Sequence, residues 1–145
     1  MKTAHAADRI DYNQPFRENV QGQLKATFRL GADFAPVSEP HPDDRRLLVY
    51  TIDAFLDSPR ARQIDRVEYF LDDPSYEDPK GYSNDRSNQF RKEITSYGDV
   101  EVLVTVYLDG LNYQQRAWLS NMLENGHADD MTAPIWAALE RIRVN

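Results

Sequence analysis

Cysteine is absent from the 145 residues, which excludes a disulfide framework and a thiolate metal site. Histidine is scarce: His5, His41 and His127 lie far apart, and none has a metal-type partner at close spacing. The signatures of common catalysts are missing too. There is no glycine-rich phosphate loop, no HExxH and no GxSxG, so no enzyme activity and no cofactor are expected. No apolar run approaches the roughly 20 residues that cross a bilayer, and residues 1–19 hold no apolar segment behind their early charges. A cytoplasmic location is expected. Basic residues are in deficit, 17 against 24 acids, for a formal net charge of −7. Nucleic-acid binders need clustered Lys and Arg, so neither nucleic acid nor an anionic membrane is expected as a partner. An acidic surface tolerates basic partners, an effect that salt screens beyond about 10 Å.

What is present is enough for a packed core. The length suits one domain with short appendages, and 41% of the residues are hydrophobic. Residues 99–109 alternate, with Val100, Val102, Val104, Val106 and Leu108 on one face and Asp99, Glu101, Thr105 and Asp109 on the other. That is a half-buried β-strand. Residues 21–30 alternate likewise through Leu24, Ala26, Phe28 and Leu30, and so do Val67, Tyr69 and Leu71. Phe90 and Ile94 share a face opposite Arg91, Glu93 and Thr95. Residues 46–56 are apolar on both parities, as in a central strand covered on each side. Residues 31–45 carry Pro36, Pro40 and Pro42 and read as a long surface loop. Five strands separated by turn signals predict an immunoglobulin-like antiparallel β-sandwich over residues 21–110.

Residues 1–20 read as a polar arm, tied down in part by Ile10, Tyr12 and Phe16. After Gly110 the period changes. Leu111, Gln115, Trp118, Leu119, Met122 and Leu123 fall at helical spacing, and Thr132, Pro134, Ile135, Trp136, Leu139 and Ile142 signal a second, capped helix. Residues 111–145 are therefore helices packed on the sandwich or, over 111–119, an edge strand. Trp118 and Trp136 are expected to pack this appendage down; if exposed, they mark a partner surface.

The strands of residues 64–110 bracket two loops. The first, residues 72–88, combines acids and prolines with Ser75 and Tyr76; the second is Ser96-Tyr97-Gly98-Asp99. The ordered set Val67-Glu68-Tyr69-Phe70-Leu71, Ser75-Tyr76, Asp85-Arg86-Ser87, Phe90 and Tyr97-Gly98-Asp99-Val100 resembles the YEATS family, its prokaryotic branch above all. The likeness covers residues 22–110 and independently implies the same sandwich fold. Eukaryotic YEATS domains hold an acylated lysine between aromatic rings at the sandwich end, with a hydroxyl and a backbone N–H on its amide. The resemblance implies Tyr76 and Tyr97 as ring walls, Ser75 as the hydroxyl, and Tyr97 or Gly98 as the N–H donor, with Ser96 in the same turn. Where the reader pocket has His this chain has Asp72, and where it has the last aromatic it has Val100. A carboxylate costs desolvation beside an acyl chain, and Val100 supplies no stacking. The implied function is a non-enzymatic recognition module whose partner is a protein or a modified-lysine peptide, in intracellular signalling or conflict systems.

Other readings of the same residues stand beside it. Tyr76 and Tyr97 could simply cap the sandwich end. Asp72, Asp73, Glu77, Asp78, Asn84 and Asp85 could ring a hard cation, but no EF-hand spacing is present and a solvated acidic loop is the favoured reading. Arg86 and Arg91 could brace that loop through ion pairs. His127 with Asp129 and Asp130 reads as a polar turn between helices, since nucleophilic catalysis would need a Ser or Cys held by a base. The alternative function is a protein-interaction domain that uses the acidic loop face or the C-terminal helices, with no small-ligand pocket.

Overall fold

A computed structural model describes residues 14–76 and 78–145. Ile10, Tyr12 and His5 lie outside the described residues, as does Glu77. The described part of the N-terminal arm begins with a short helix, α1 (Gln14–Asn19), whose Phe16 is fully buried. Eight strands follow: β1 (Gln23–Phe28), β2 (Ser38–Pro40), β3 (Leu48–Asp57), β4 (Ile64–Leu71), β5 (Lys80–Ser83), β6 (Lys92–Ser96), β7 (Glu101–Leu108) and β8 (Leu111–Trp118). Two helices, α2 (Leu119–Gly126) and α3 (Ala133–Val144), complete the described chain.

The strands form two four-stranded antiparallel sheets, the expected β-sandwich. In the first, β3 is central, with β6 along one edge and β1 then β2 along the other. The second runs β5-β4-β7-β8. The valines that set the period-two pattern form the inner face of β7: Val102, Val104 and Val106 are all 0% exposed. They meet Ile52 and Ala54 of β3 and Val67 and Tyr69 of β4 in one core. Tyr69 is accommodated there because its hydroxyl donates to the Phe90 carbonyl at 2.8 Å. Burial raises its pKa.

Residues 111–118 are the edge strand, one of the two readings open in the sequence, and not a helix. Asp109 (φ 51°) and Gly110 (φ 80°) both adopt left-handed backbone, the condition for a two-residue type I′ hairpin, and Leu108 pairs Leu111 across it. That ladder outweighs the accidental helical spacing of Leu111, Gln115 and Trp118, so Trp118 ends β8 rather than sitting on a helix. The two proline-rich loops also carry ladder: β2 pairs β3, and β5 pairs β4. Short edge strands tolerate Pro40 and Gly81 where a central strand would not. Nor is β3 covered on both faces. Its outer face presents Thr51 and Asp53, and Arg29 bridges Asp53 (2.8 Å) and Glu93 (2.5 Å).

The helices pack through residues other than the tryptophans. Leu119, Met122 and Leu123 of α2 and Ile135, Ala138, Leu139 and Ile142 of α3 are buried, whereas Trp118 and Trp136 are each 48% exposed. Trp136 carries Arg143 over its ring at 5.6 Å. Thr132 caps α3 as expected, accepting from the Ile135 amide. The C-terminal end of α2 lies against β1, an edge strand. There the Nε2 of buried His127 accepts from the Phe28 amide at 2.9 Å, and its ring stacks on Phe28. A neutral imidazole that accepts at Nε2 carries its proton on Nδ1, which meets Asp130 Oδ1 at 3.0 Å. This is the polar turn expected of His127, and it covers backbone that an exposed edge would leave open.

Candidate functional site

The two loops singled out in the sequence meet at one end of the sandwich, where β4 leaves the second sheet and β6 leaves the first. Between them is a cleft of about 490 Å³ lined by Ser75, Tyr76, Thr95, Ser96 and Tyr97, with His41, Pro42, Asp43 and Val49 on its third side. The fold thus brings together Ser75, Tyr76, Ser96 and Tyr97. Asp72 lies elsewhere. Its carboxylate pairs with Arg116 of β8 at 3.0 Å, in a cluster that includes Glu101, so its charge is directed along the second sheet. Val100 is 2% exposed in the core and does not line the cleft.

A hydroxyl relay stiffens the cleft wall. The Tyr76 hydroxyl lies 2.6 Å from Ser96 Oγ, and Ser96 Oγ–H donates to the Gly98 carbonyl at 2.7 Å while accepting from the Gly98 amide at 3.2 Å. Since the Ser96 proton is committed to Gly98, Tyr76 is the donor in its bond to Ser96. Ser96 is then saturated, and Tyr76 Oη keeps acceptor capacity. Burial raises the pKa of Tyr76 above that of a free phenol, the bond to Ser96 opposing it. The Gly98 N–H, expected to face a ligand, is used inside the turn.

The Tyr97-Gly98 turn is held from behind by the C-terminal segment. A Cβ on Gly98 would fall 2.7 Å from the Asn145 carbonyl carbon, a contact only glycine permits. Asp99 reads in sequence as an outward strand residue. Here it caps α2 instead, accepting from the Ser120 amide (2.9 Å) and the Ser120 hydroxyl (2.6 Å). A carboxylate suits that end of the helix, where amides lack intrahelical acceptors. On the first loop, Asp73 accepts from the Ser75 amide at 2.8 Å. That bond, with one from the Ser75 side chain, lowers the Asp73 pKa.

His41 is the residue that sequence reasoning missed. It sits in the loop between β2 and β3, more than fifty positions from Tyr97, yet the rings meet edge to face with centroids 5.2 Å apart. Its Nδ1 accepts from the Asp43 amide at 3.0 Å, which in the neutral ring puts the proton on Nε2. The His41-Pro42-Asp43-Asp44 run was legible as a turn; nothing local showed which end of the sandwich it would reach.

The remaining candidates separate. Arg86 donates to the Ile64 carbonyl and Arg91 lies over the Phe55 ring at 4.7 Å, so neither braces the acidic loop. Asp85 caps a turn at Ser87. Among the described residues no group of three or more His, Cys, Asp or Glu could hold a metal ion.

Residues 50–117, from β3 to β8, match the family model of the prokaryotic YEATS domain. That stretch is similar to the prokaryotic YEATS domain. The match takes in both cleft loops and leaves β1, β2, α2 and α3 outside it. No curated protein matches the chain. Among the described residues no helix is long and apolar enough to cross a membrane.

Proposed function

We propose that this YEATS-like domain is a non-enzymatic recognition module whose end cleft binds an acylated lysine or another flat, neutral amide-bearing group. The observation that carries the reading is the pairing of polar groups at the cleft. Tyr76 Oη is a spent donor with acceptor capacity left, and His41, held at Nδ1 by the Asp43 amide, offers a donor at Nε2. A secondary amide presents one N–H and one C=O, the complementary set. The Tyr76 and Tyr97 rings supply flat apolar walls for the acyl chain. Asp43 at the exposed rim suits a partner with basic residues around the modified lysine. Signalling or conflict systems are the context this reading implies.

Titration with acetyl- and crotonyl-lysine peptides tests it. Tyr97→Ala should weaken binding at least about tenfold, the loss expected for one aromatic wall, with an unchanged melting temperature. Full affinity in a folded Tyr97→Ala protein would remove the cleft from the binding site.

A second reading is favoured by the exposure of Trp118 and Trp136, since half-exposed tryptophans are characteristic anchors of protein interfaces. Binding to a protein partner that survives Tyr97→Ala but is lost in Trp136→Ala would support it.

A further inference from the structure

Among the described residues strand β6 has one partner, β3, and its opposite edge borders the cleft. Which backbone groups lie on that edge follows from the hydrogen bonds of β3. The Thr51 amide donates to Val37 and its carbonyl accepts from Arg29, so both groups of Thr51 face the β1–β2 side. Thr51 is paired with Thr95, which places Thr95 at a non-hydrogen-bonded position of the β3–β6 ladder. The N–H and C=O of Thr95 therefore point away from β3, and by the two-residue period those of Glu93 do the same. Among the described residues neither has a backbone hydrogen bond on that edge, and both residues are exposed.

Two cavities border the same edge. Thr95, Ser96 and Tyr97 line the cleft, while Lys92, Glu93, Ile94 and Thr95 line a second cavity of about 160 Å³ beneath β5; Tyr76 borders both. At the start of β6 the Lys92 stem packs against β5, so closely that a Cβ on Gly81 would meet it at 2.4 Å. An open ladder beside a cavity at each end of a short strand is complementary to one thing above others: an extended backbone.

We propose that β6 takes up a short peptide strand by hydrogen bonds at Glu93 and Thr95, and that this strand is the segment flanking the lysine held in the cleft. The identity of the occupant rests on the function proposed above; the strand addition rests on the edge alone. Main-chain bonding of this kind supplies affinity while the alternate side chains supply selectivity. The reachable edge is two residues of one parity, so the added strand is short and every second amide of the peptide is engaged.

The probes are a ten-residue peptide with one central Nε-acetyl-lysine, the same peptide with norleucine in its place, and a capped acetyl-lysine monomer. Backbone N-methylation is placed on successive residues of the first peptide. On this reading N-methyl groups of one parity weaken binding about tenfold each, those of the other parity do not, and the Glu93 and Thr95 amides gain exchange protection. A monomer that binds as tightly as the peptide, or N-methylation without parity, would overturn strand addition and leave the cleft standing. Parity-dependent binding of the norleucine peptide would keep strand addition and overturn acyl-lysine recognition. Failure of all three probes to bind would overturn both, and protection appearing along residues 112–118 would overturn the assignment by moving the docking edge to β8.

Discussion

Gly126 ends α2 where that helix crosses β1, and replacing it with alanine sets two physical effects against each other. A Cβ at this position would stand 1.9 Å from the Ala26 carbonyl oxygen, 2.7 Å from its carbon and 3.1 Å from its nitrogen. Ordinary C···O contacts lie at about 3.3 Å or more, so helix and strand must part by more than about 1 Å. The obstacle is backbone on both sides and cannot be relieved by a rotamer. The next residue, His127, holds the Phe28 amide, so parting the elements puts that bond at risk and exposes a buried N–H to a cost of about 1–3 kcal/mol. Disturbing the packing of Leu119, Met122 and Leu123 adds a cost of about 1–3 kcal/mol. Against this, helix propensity favours alanine over glycine by up to about 1 kcal/mol in a helix interior, and less at a terminus. The net expectation for Gly126→Ala is a loss of about 1–6 kcal/mol, centred near 3. Urea unfolding should show a lower midpoint at unchanged slope, and melting should fall by about 2–4 °C per kcal/mol at this chain length. Amide exchange at Phe28 should accelerate. An alanine variant as stable as the parent or more so would refute the reasoning, because propensity alone would then be acting and α2 would stand clear of β1.

The same contact is probed from the side chain by His127→Leu. It keeps an apolar body against Phe28 but orphans the Phe28 amide, and should cost about 1–3 kcal/mol in urea unfolding; a loss below about 0.5 kcal/mol would mean that amide has another acceptor. The first cleft loop should respond to acid. Asp73 has a folded pKa below its unfolded value because the Ser75 hydrogen bonds favour the carboxylate, so its contribution is complete above the ordinary carboxylate pKa of about 3.9 and fades as pH falls through the lower, folded value. The protection of the Ser75 amide relative to its intrinsic exchange rate at each pH should therefore hold at pH 5 and fall below about pH 4, and Asp73→Asn should flatten that profile; an unchanged profile in the variant would assign the acid response to another group.

The legible parts of this protein were those that depend on neighbours in the chain. Alternation through Val102, Val104 and Val106 fixes a face because successive strand side chains point opposite ways. The Thr132 and Pro134 signals announce a helix start because both act on local amides. The Asp109-Gly110 turn is equally local: the pair marks a two-residue hairpin, and it decides for the edge strand over the helix at residues 111–118.

The cleft was half legible. Ser75-Tyr76 and Ser96-Tyr97 stood out through a family pattern in which order and spacing survive, but the environment of each side chain did not. Asp72 found Arg116 and left the cleft, a pairing across sequence-distant strands that no local feature announces. Asp99 turned from a strand position into the cap of a helix twenty residues later, and Gly98 owes its lack of a side chain to the segment at Asn145. His41 entered from a loop that looked like surface.

The sequence by itself determined the sandwich, the strand faces, the capped last helix and the two aromatic loops, since each follows from periodicity or turn chemistry within a few residues. Only the tertiary structure decided that these loops share a cleft with His41, that the C-terminal helices brace it, and that β6 keeps an open edge beside it. Those outcomes depend on which strands pair and in what register, a choice made by the whole core at once.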